Sequence, residues 1–175
     1  GIAMATGDII GILNADDFFA SNAILESIAS EFSDSNTDIV YGDLWYISRT
    51  NSNHVIRKWK SNPYFKNLFQ WGWMPAHPTF YARRELFQNY GNYALRYKTA
   101  ADYELMLRFL YKYQLNSKYL NKVFVKMRIG GISNKSIRNR LVANINDFKA
   151  MKSNGIRIPW IAIFLKPLRK FTQFF

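Results

Sequence analysis

Two adjacent carboxylates, Asp16 and Asp17, are the first residues of the chain whose types and spacing could do chemistry. They follow an apolar run at residues 7–13, which is rich in β-branched side chains and predicts a strand buried on both faces. Ligands bind at the carboxyl ends of strands in α/β sheets, so two carboxylates there suit Mg²⁺ or Mn²⁺. The alternative is structural, with Asn14 and Asp17 forming a turn or capping the next helix.

A second pair of acids, Asp102 and Glu104, lies in a region with few other acidic residues. Asp102 stands at the start of a predicted helix, where a carboxylate held near a substrate hydroxyl can act as a general base. The alternative is a capping box, in which Thr99 caps the helix and Asp102 answers it from the third position. The helix dipole also favours an acid there. From the residues alone, both interpretations of Asp102 stay open.

One histidine, His77, has a context that could matter, since it directly precedes Pro78 in a segment rich in aromatic residues. A lone histidine is more often a hydrogen-bonded loop residue than a ligand or a base. The chain has no cysteine, which excludes disulfides, thiolate metal sites and a cysteine nucleophile. It also has no G-x-S-x-G, Walker-type or H-E-x-x-H motif.

The elements that position these residues alternate between strands and helices along the chain. Apolar runs predict strands at 7–13, 38–43, 44–47, 54–59, 79–82 and 122–127, with a hairpin turn at 51–53. Helical spacing predicts helices at 21–32, 84–90, 100–114 and 136–152, the first capped by Ser21. Residues 60–78 predict an irregular loop with a short helix. This alternation indicates an α/β fold with a mixed sheet flanked by helices.

Charge is distributed unevenly along a chain whose net charge is +12. Residues 1–54 carry eight acids and one basic residue, whereas residues 55–175 carry four acids and twenty-three basic residues. A basic surface favours anionic partners, so a nucleic-acid-binding module is one functional class to consider. The basic residues are spread out and form no recognised binding motif, which argues against that class. No apolar run approaches the length of about 18–20 residues that a membrane-spanning helix needs.

Four segments together resemble the bacterial family 2 glycosyltransferases, whose fold is called GT-A. They are residues 5–17, ending in Asn14-Ala15-Asp16-Asp17; residues 77–86, beginning His77-Pro78-Thr79; residues 101–108, beginning Ala101-Asp102-Tyr103-Glu104; and Gly130-Gly131-Ile132-Ser133. The resemblance covers about residues 1–135. It implies an enzyme that transfers a sugar, with inversion, from a nucleotide-diphosphate sugar to a hydroxyl of a glycan or lipid-linked acceptor in surface polysaccharide synthesis.

The resemblance also assigns roles to particular residues. Asp17 would be the direct ligand of Mg²⁺ or Mn²⁺, and Asp16 would contact the donor ribose or a metal-bound water. Asp102 matches the second member of the family's acidic pair and would be the base, although the first member is Ala101 here. Glu104 is the fallback base. His77 matches a recurrent histidine near the site.

The resemblance divides the chain into residues 1–155, a partial GT-A domain with the metal motif and acceptor half, and a basic apolar segment at residues 156–175. The family's nucleotide-binding strands precede the metal motif and are absent from this sequence, so we expect the chain alone to bind donor poorly. A non-catalytic fragment is therefore an alternative. The final segment predicts either a packed helix or attachment to the inner face of the bacterial plasma membrane, on the cytoplasmic side.

Overall fold

A mixed six-stranded sheet forms the centre of the computed structural model, which describes residues 1–129, 137–171 and 173, with the backbone alone for 137–140. Its strands are β1 (Ile9–Ile10), β2 (Phe18–Phe19), β3 (Ile39–Ile47), β4 (Val55–Trp59), β5 (Tyr81–Arg83) and β6 (Ser117–Arg128). The order is β1-β5-β3-β6-β2, and β4 pairs with β3 off that path. The β3 and β6 strands are parallel, and the other pairs are antiparallel.

Five α-helices flank this sheet in the described part of the chain. They are α1 (Ile24–Glu31), α2 (Arg84–Tyr90), α3 (Ala101–Met106), α4 (Ile137–Ser153) and α5 (Pro159–Phe171). A π-helical segment, Leu107–Lys112, continues α3. The mixed α/β architecture predicted from the sequence is therefore confirmed, and the fold is a GT-A-like domain.

The sheet has an apolar cluster on each face because side chains alternate along β3. Ile39 and Tyr41 point into a large cluster that also holds residues of α3, α4 and α5. Val40 and Leu44 point into a smaller cluster with α1. The segment after residue 155 contributes to the larger cluster through fully buried Ala162, so it packs on the preceding domain as the helical alternative predicted.

Several predicted elements are confirmed closely. The hairpin of β3 and β4 pairs Leu44 with Trp59 across the expected turn, and β3 continues unbroken through the two predicted strands at 38–47. The α2 helix occupies the predicted residues and is followed by Gly91, which has a positive φ. The Gly130–Ser133 motif lies outside the described residues.

Two sequence-based interpretations near the N-terminus are wrong. The apolar run at 7–13 forms only the short strand β1, which pairs with β5 at the edge of the described sheet, and Ile12 and Leu13 beyond it are exposed. The two residues of β1 still pack on opposite faces, Ile10 in the larger cluster and Ile9 against the smaller one, so the error concerns the length of the strand. Ser21 does not cap α1 through its side chain; its carbonyl oxygen accepts the Ile24 N–H at 3.4 Å instead.

Candidate active site

A tight turn positions Asp17 at the entrance to β2. The Asp17 N–H donates to the Asn14 carbonyl at 3.1 Å, and the Asn14 side-chain amide donates to Asp17 Oδ2 at 2.8 Å. The next residue, Phe18, pairs with Lys126 of β6 and so ties the turn to the sheet. Asn14 and Asp17 therefore form a turn, as the structural alternative predicted. This turn fixes the Asp17 carboxyl in place.

The Asp17 carboxyl is buried, with 7% of the residue exposed, yet it is only partly satisfied. Its Oδ1 atom is buried without a hydrogen-bond partner among the described residues. Burial raises the pKa of Asp17, and the neighbouring carboxylate of Asp16 raises it further, whereas the Asn14 hydrogen bond and the charge of His77 lower it. A buried acceptor without a partner is costly unless a cation or donor completes it.

Asp16 is exposed beside this buried group, and its carbonyl oxygen accepts a hydrogen bond from Arg128 Nη1 at 3.4 Å. The Arg128 guanidinium also lies over the Phe18 ring, 5.4 Å from its centroid. The exposed and the buried carboxylate are therefore adjacent at the same turn. Together they offer the oxygen ligands that Mg²⁺ and Mn²⁺ prefer, and the unpartnered Asp17 Oδ1 fits such an ion.

Two carboxylates do not complete a coordination shell. Among the described residues, no group of three or more His, Asp or Glu side chains is arranged to hold a metal ion. Mg²⁺ usually keeps several waters and takes further oxygens from substrate phosphates, so one or two carboxylates suffice for that type of site. The geometry therefore suits an ion that is held jointly by protein and substrate.

A buried hydrogen-bond network holds the turn that carries His77. This turn, His77–Thr79, is a single 3₁₀ turn. The Thr79 hydroxyl contacts the Ala76 and Gly42 carbonyls at 2.8 and 2.9 Å, and the Ser61 hydroxyl donates to the Gly42 carbonyl at 2.7 Å. Anchoring to β3 through Gly42 keeps the turn rigid, while the His77 side chain stays 38% exposed.

Asp102, in the first turn of α3, faces His77 rather than capping the helix. The structure shows no side-chain cap at this helix, so the capping-box alternative with Thr99 is wrong. Asp102 Oδ1 accepts the N–H of Tyr103 at 2.8 Å, and Oδ2 lies 3.3 Å from His77 Nδ1. The Asp102 side chain is 29% exposed, which leaves its carboxylate accessible to a ligand.

His77 connects the two acidic groups. It contacts Asp102 directly, and its charge lowers the pKa of Asp17 against the larger effect of burial. The 3₁₀ turn before β5 and the start of α3 therefore meet at this contact, and His77 lies near enough to the turn before β2 for its charge to act on Asp17. An incompletely satisfied carboxylate is suited to a cation that binds a phosphate-bearing ligand, and an accessible carboxylate with a histidine partner is suited to accept a proton from a hydroxyl.

Glu104 has a different environment from Asp102. Both of its oxygens receive hydrogen bonds from Arg108, at 3.1 and 3.0 Å, and Asn154 donates to Oε1 at 3.2 Å. Arg108 in turn donates to the carbonyls of Gly91 and Asn92, each at 2.8 Å. The contacts of Glu104 are those of a structural ion pair that joins α2, α3 and α4. It does not join Asp102 and His77.

Sequence reasoning missed several groups around the site. Tyr46, near the end of β3, lies close enough to Asp17 for the carboxylate to raise its pKa, in addition to the effect of burial. Asp43 is buried and accepts the Ser61 N–H at 2.8 Å and the Tyr119 hydroxyl at 2.9 Å; burial raises its pKa. The proximity of Tyr46 to Asp17 and the contact of Asp43 with Tyr119 depend on the parallel pairing of β3 with β6, which local sequence patterns do not show. Ser61 instead reaches Asp43 from the end of the predicted β3–β4 hairpin.

Comparison with known families agrees with the GT-A-like fold described above. The family described as "Glycosyl transferase family 2" matches residues 1–92, so the chain belongs to it. Proteins named "PGL/p-HBAD biosynthesis glycosyltransferase" from Mycobacterium tuberculosis and Mycobacterium bovis are 29% identical over 136 residues, which is 77% of this chain. That alignment covers 50% of each relative, so the chain spans about half the length of the curated relatives that it matches.

No helix within the described residues is long and apolar enough to cross a membrane.

Proposed function

We propose that this chain carries the metal motif and acceptor side of a glycosyltransferase that moves a sugar from a nucleotide-diphosphate sugar to an acceptor hydroxyl. One observation carries the proposal: buried Asp17, with an unpartnered oxygen, shares His77 as a neighbour with the accessible carboxylate of Asp102. Family membership and the mycobacterial glycosyltransferases support the same class of reaction.

Asp17 would hold Mg²⁺ or Mn²⁺ through its unpartnered oxygen, and Asp16 would take part through a bound water or the donor ribose. When bound, the ion acts as a Lewis acid that neutralises negative charge on the leaving diphosphate. Asn14 orients the Asp17 carboxyl by donating to its second oxygen, so that Oδ1 remains available. Burial makes the Asp17 site selective for a cation over water, since an ionised buried carboxylate needs a compensating charge.

Asp102 would act as the general base. Its Oδ1 is held by the N–H of Tyr103, and its accessible Oδ2 would take the proton of the acceptor hydroxyl as that oxygen attacks the anomeric carbon. Attack from the face opposite the leaving diphosphate inverts the configuration, with no covalent intermediate. His77 would position Asp102 through the 3.3 Å contact.

The acceptor would be a glycan or a lipid-linked saccharide of a surface polysaccharide, and peripheral attachment to the inner face of the plasma membrane fits such a substrate. The exposed faces of α4 and α5 form an apolar surface. Its members are Leu141, Val142, Ile145, Trp160, Phe164, Leu168 and Phe171. The Phe148 and Trp160 rings, with centroids 4.4 Å apart, join the two helices.

Charge favours a lipid surface as the occupant of this apolar face. The sequence from residue 148 onward has six Lys or Arg and no Asp or Glu, which suits anionic headgroups at the rim of an apolar face. Vesicle sedimentation with anionic and neutral lipids tests this. We expect Trp160→Ser with Phe164→Ser to lose binding, and Phe65→Ser, an exposed aromatic outside the surface, to retain it. Equal binding of all three proteins would reject the membrane assignment.

The test of sugar transfer measures release of nucleoside diphosphate from a panel of nucleotide sugars by the protein as its gene encodes it, with and without Mn²⁺ or Mg²⁺. We expect metal-dependent release that Asp17→Ala and Asp102→Asn abolish. Asp8→Ala and Glu85→Gln are matched controls because both residues are exposed. Metal-independent release would reject the role of Asp17, and salt-sensitive binding to single-stranded nucleic acid without any release would favour the binding module instead.

A further inference from the structure

A basic cleft lies away from the carboxylates, between the end of β4, the loop that follows it and α5. Its volume is about 260 Å³. We call it the basic cleft and define it by Lys58, Lys60, Trp73, Lys166, Arg169 and Lys170, which line it. Five of the eleven residues that line it are cationic, and no acidic residue of the described part of the chain lines it.

The walls of the cleft are held together by backbone contacts. Gly72, at φ +73°, lies so close to the backbone of α5 that an added Cβ would be 2.6 Å from the backbone nitrogen of Lys166. The Arg169 guanidinium donates through Nε to the Trp71 carbonyl at 2.8 Å, and the Lys58 N–H donates to the Gln173 carbonyl at 2.8 Å. The cleft is therefore a preformed feature of how α5 docks.

The cations of the cleft differ in how far they are already neutralised. Lys166 pairs with Asp147 at 2.6 Å and lies over the Tyr103 ring, 3.6 Å from its centroid, so it serves the packing of α5. Lys58, near the end of β4, and Lys60, just after it, are exposed and both line the cleft. No carboxylate among the described residues lines the cleft, and the charge of Lys60 also acts on Asp43, which is buried.

The size and charge of the cleft select a small anion. Pockets for drug-sized ligands have volumes of about 300–1,000 Å³, so a cleft of about 260 Å³ suits a compact group rather than a whole nucleotide. Lysine binds phosphate as a point charge, and hydrogen bonds between ammonium and phosphate oxygens are among the stronger ones in proteins. The Trp73 indole adds an apolar wall beside the cations.

We propose that the basic cleft binds a phosphate or diphosphate group through Lys58 and Lys60. The phosphate is supplied either by a membrane lipid or by a soluble phosphorylated molecule. The proposal does not depend on sugar transfer, because it rests on residues that take no part in the carboxylate site.

The test titrates inorganic pyrophosphate into the 175-residue chain by calorimetry, in low-salt buffer without divalent cations. Removing the cations prevents binding through Asp17. We expect Lys58→Gln with Lys60→Gln to weaken binding by at least about tenfold. The control, Arg49→Gln with Lys112→Gln, removes the same charge from exposed positions outside the cleft and should stay within about twofold.

A second arm measures sedimentation with phosphatidylcholine vesicles that contain or lack phosphatidic acid. Pyrophosphate binding that only the cleft variant loses identifies a soluble phosphate as sufficient. A lipid phosphate is identified as the source if two results occur together. Pyrophosphate does not bind, and only the cleft variant loses the part of vesicle binding that depends on phosphatidic acid. Equal losses in the cleft variant and the control, or binding in neither arm, would overturn the proposal.

Discussion

Asp102 and Glu104 lie two residues apart on α3, yet they have opposite environments. The Glu104 side chain is 5% exposed, and both of its oxygens receive hydrogen bonds from Arg108. The Asp102 side chain is 29% exposed, with one oxygen held by its own helix and the other beside His77. Two acids with almost the same position in the sequence therefore have different contacts. Glu104 belongs to a buried ion pair, and Asp102 lies beside His77 at the candidate site.

The comparison shows that burial alone does not mark a functional carboxylate. A buried charge is tolerated when it is paired and each of its oxygens has a hydrogen-bond partner, as in Glu104. Asp17 is also buried, but one of its oxygens has no partner among the described residues. A carboxylate in that state keeps a desolvation cost that a cation can offset. Incomplete satisfaction, rather than burial, separates Asp17 from Glu104.

The largest expected effect is on turnover in Asp102→Asn. The amide keeps the shape of the side chain but cannot accept the proton, and losing a general base lowers the rate by about 100- to 10,000-fold. Stability should change by less than about 1 kcal/mol, because the side chain is accessible. Steady-state release of nucleoside diphosphate, together with urea unfolding, checks both. A variant that retains full activity would assign the base elsewhere.

The opposite result is expected for Glu104→Ala. Removing one partner of a buried ion pair leaves Arg108 uncompensated and costs about 3–5 kcal/mol in the free energy of unfolding. The measurement is urea unfolding of the variant beside Glu85→Gln, which is exposed and should match the wild type. If Glu104→Gln kept its stability and lost turnover, Glu104 would belong to the site and the comparison would fail.

Local patterns predicted the elements of this fold better than their contacts. The helical spacing at 84–90, the hairpin around 51–53 and the alternation of strands and helices each depend on neighbouring residues, and all three are confirmed. The edge position of β1 depends instead on which strand pairs with it, namely β5, more than seventy residues later. The apolar pattern at 7–13 carries no information about that partner.

The same limit applies to the candidate site. The residue types of Asp16, Asp17, His77 and Asp102 singled them out, and the structure brings His77 beside Asp102. The sequence could not show that Thr99 leaves the helix uncapped, because a capping box needs side-chain geometry as well as spacing. It did not separate Glu104 from Asp102, although the Glu104–Arg108 pair has the i, i+4 spacing of a single helix. Only Asn154 becomes a partner of Glu104 through the packing of distant segments.

A smaller effect is expected from Asp17→Asn in the absence of metal. The neutral amide keeps the size of the side chain and removes a poorly satisfied buried charge, so Tm should rise by about 2–4 °C, or on the order of 1 kcal/mol. Adding Mn²⁺ should raise Tm of the wild type and leave the variant unchanged. Thermal unfolding with and without the ion measures both. Asp8→Asn, at a side chain that is 93% exposed, is the control and should show neither change.

The smallest effect is a pH dependence that comes from Asp17 itself. Burial raises the pKa of Asp17, so the native state binds this proton more tightly than the unfolded chain does. The protonated carboxyl therefore contributes stability below the ordinary carboxyl pKa of about 4, and that contribution is lost as pH rises through the raised pKa. The stability of Asp17→Asn relative to the wild type should grow over that window and then level off.

Metal affinity should follow the opposite course, because the ion needs the carboxylate. Below the raised pKa, each unit of decreasing pH should weaken Mn²⁺ binding by about tenfold. Asp43, whose pKa burial also raises, is present in both proteins, so the difference between wild type and Asp17→Asn isolates Asp17. Urea unfolding across the pH series and Mn²⁺ titration check the two trends. A difference in stability that stays flat with pH would mean that Asp17 does not carry the buried charge on which its contrast with Glu104 depends.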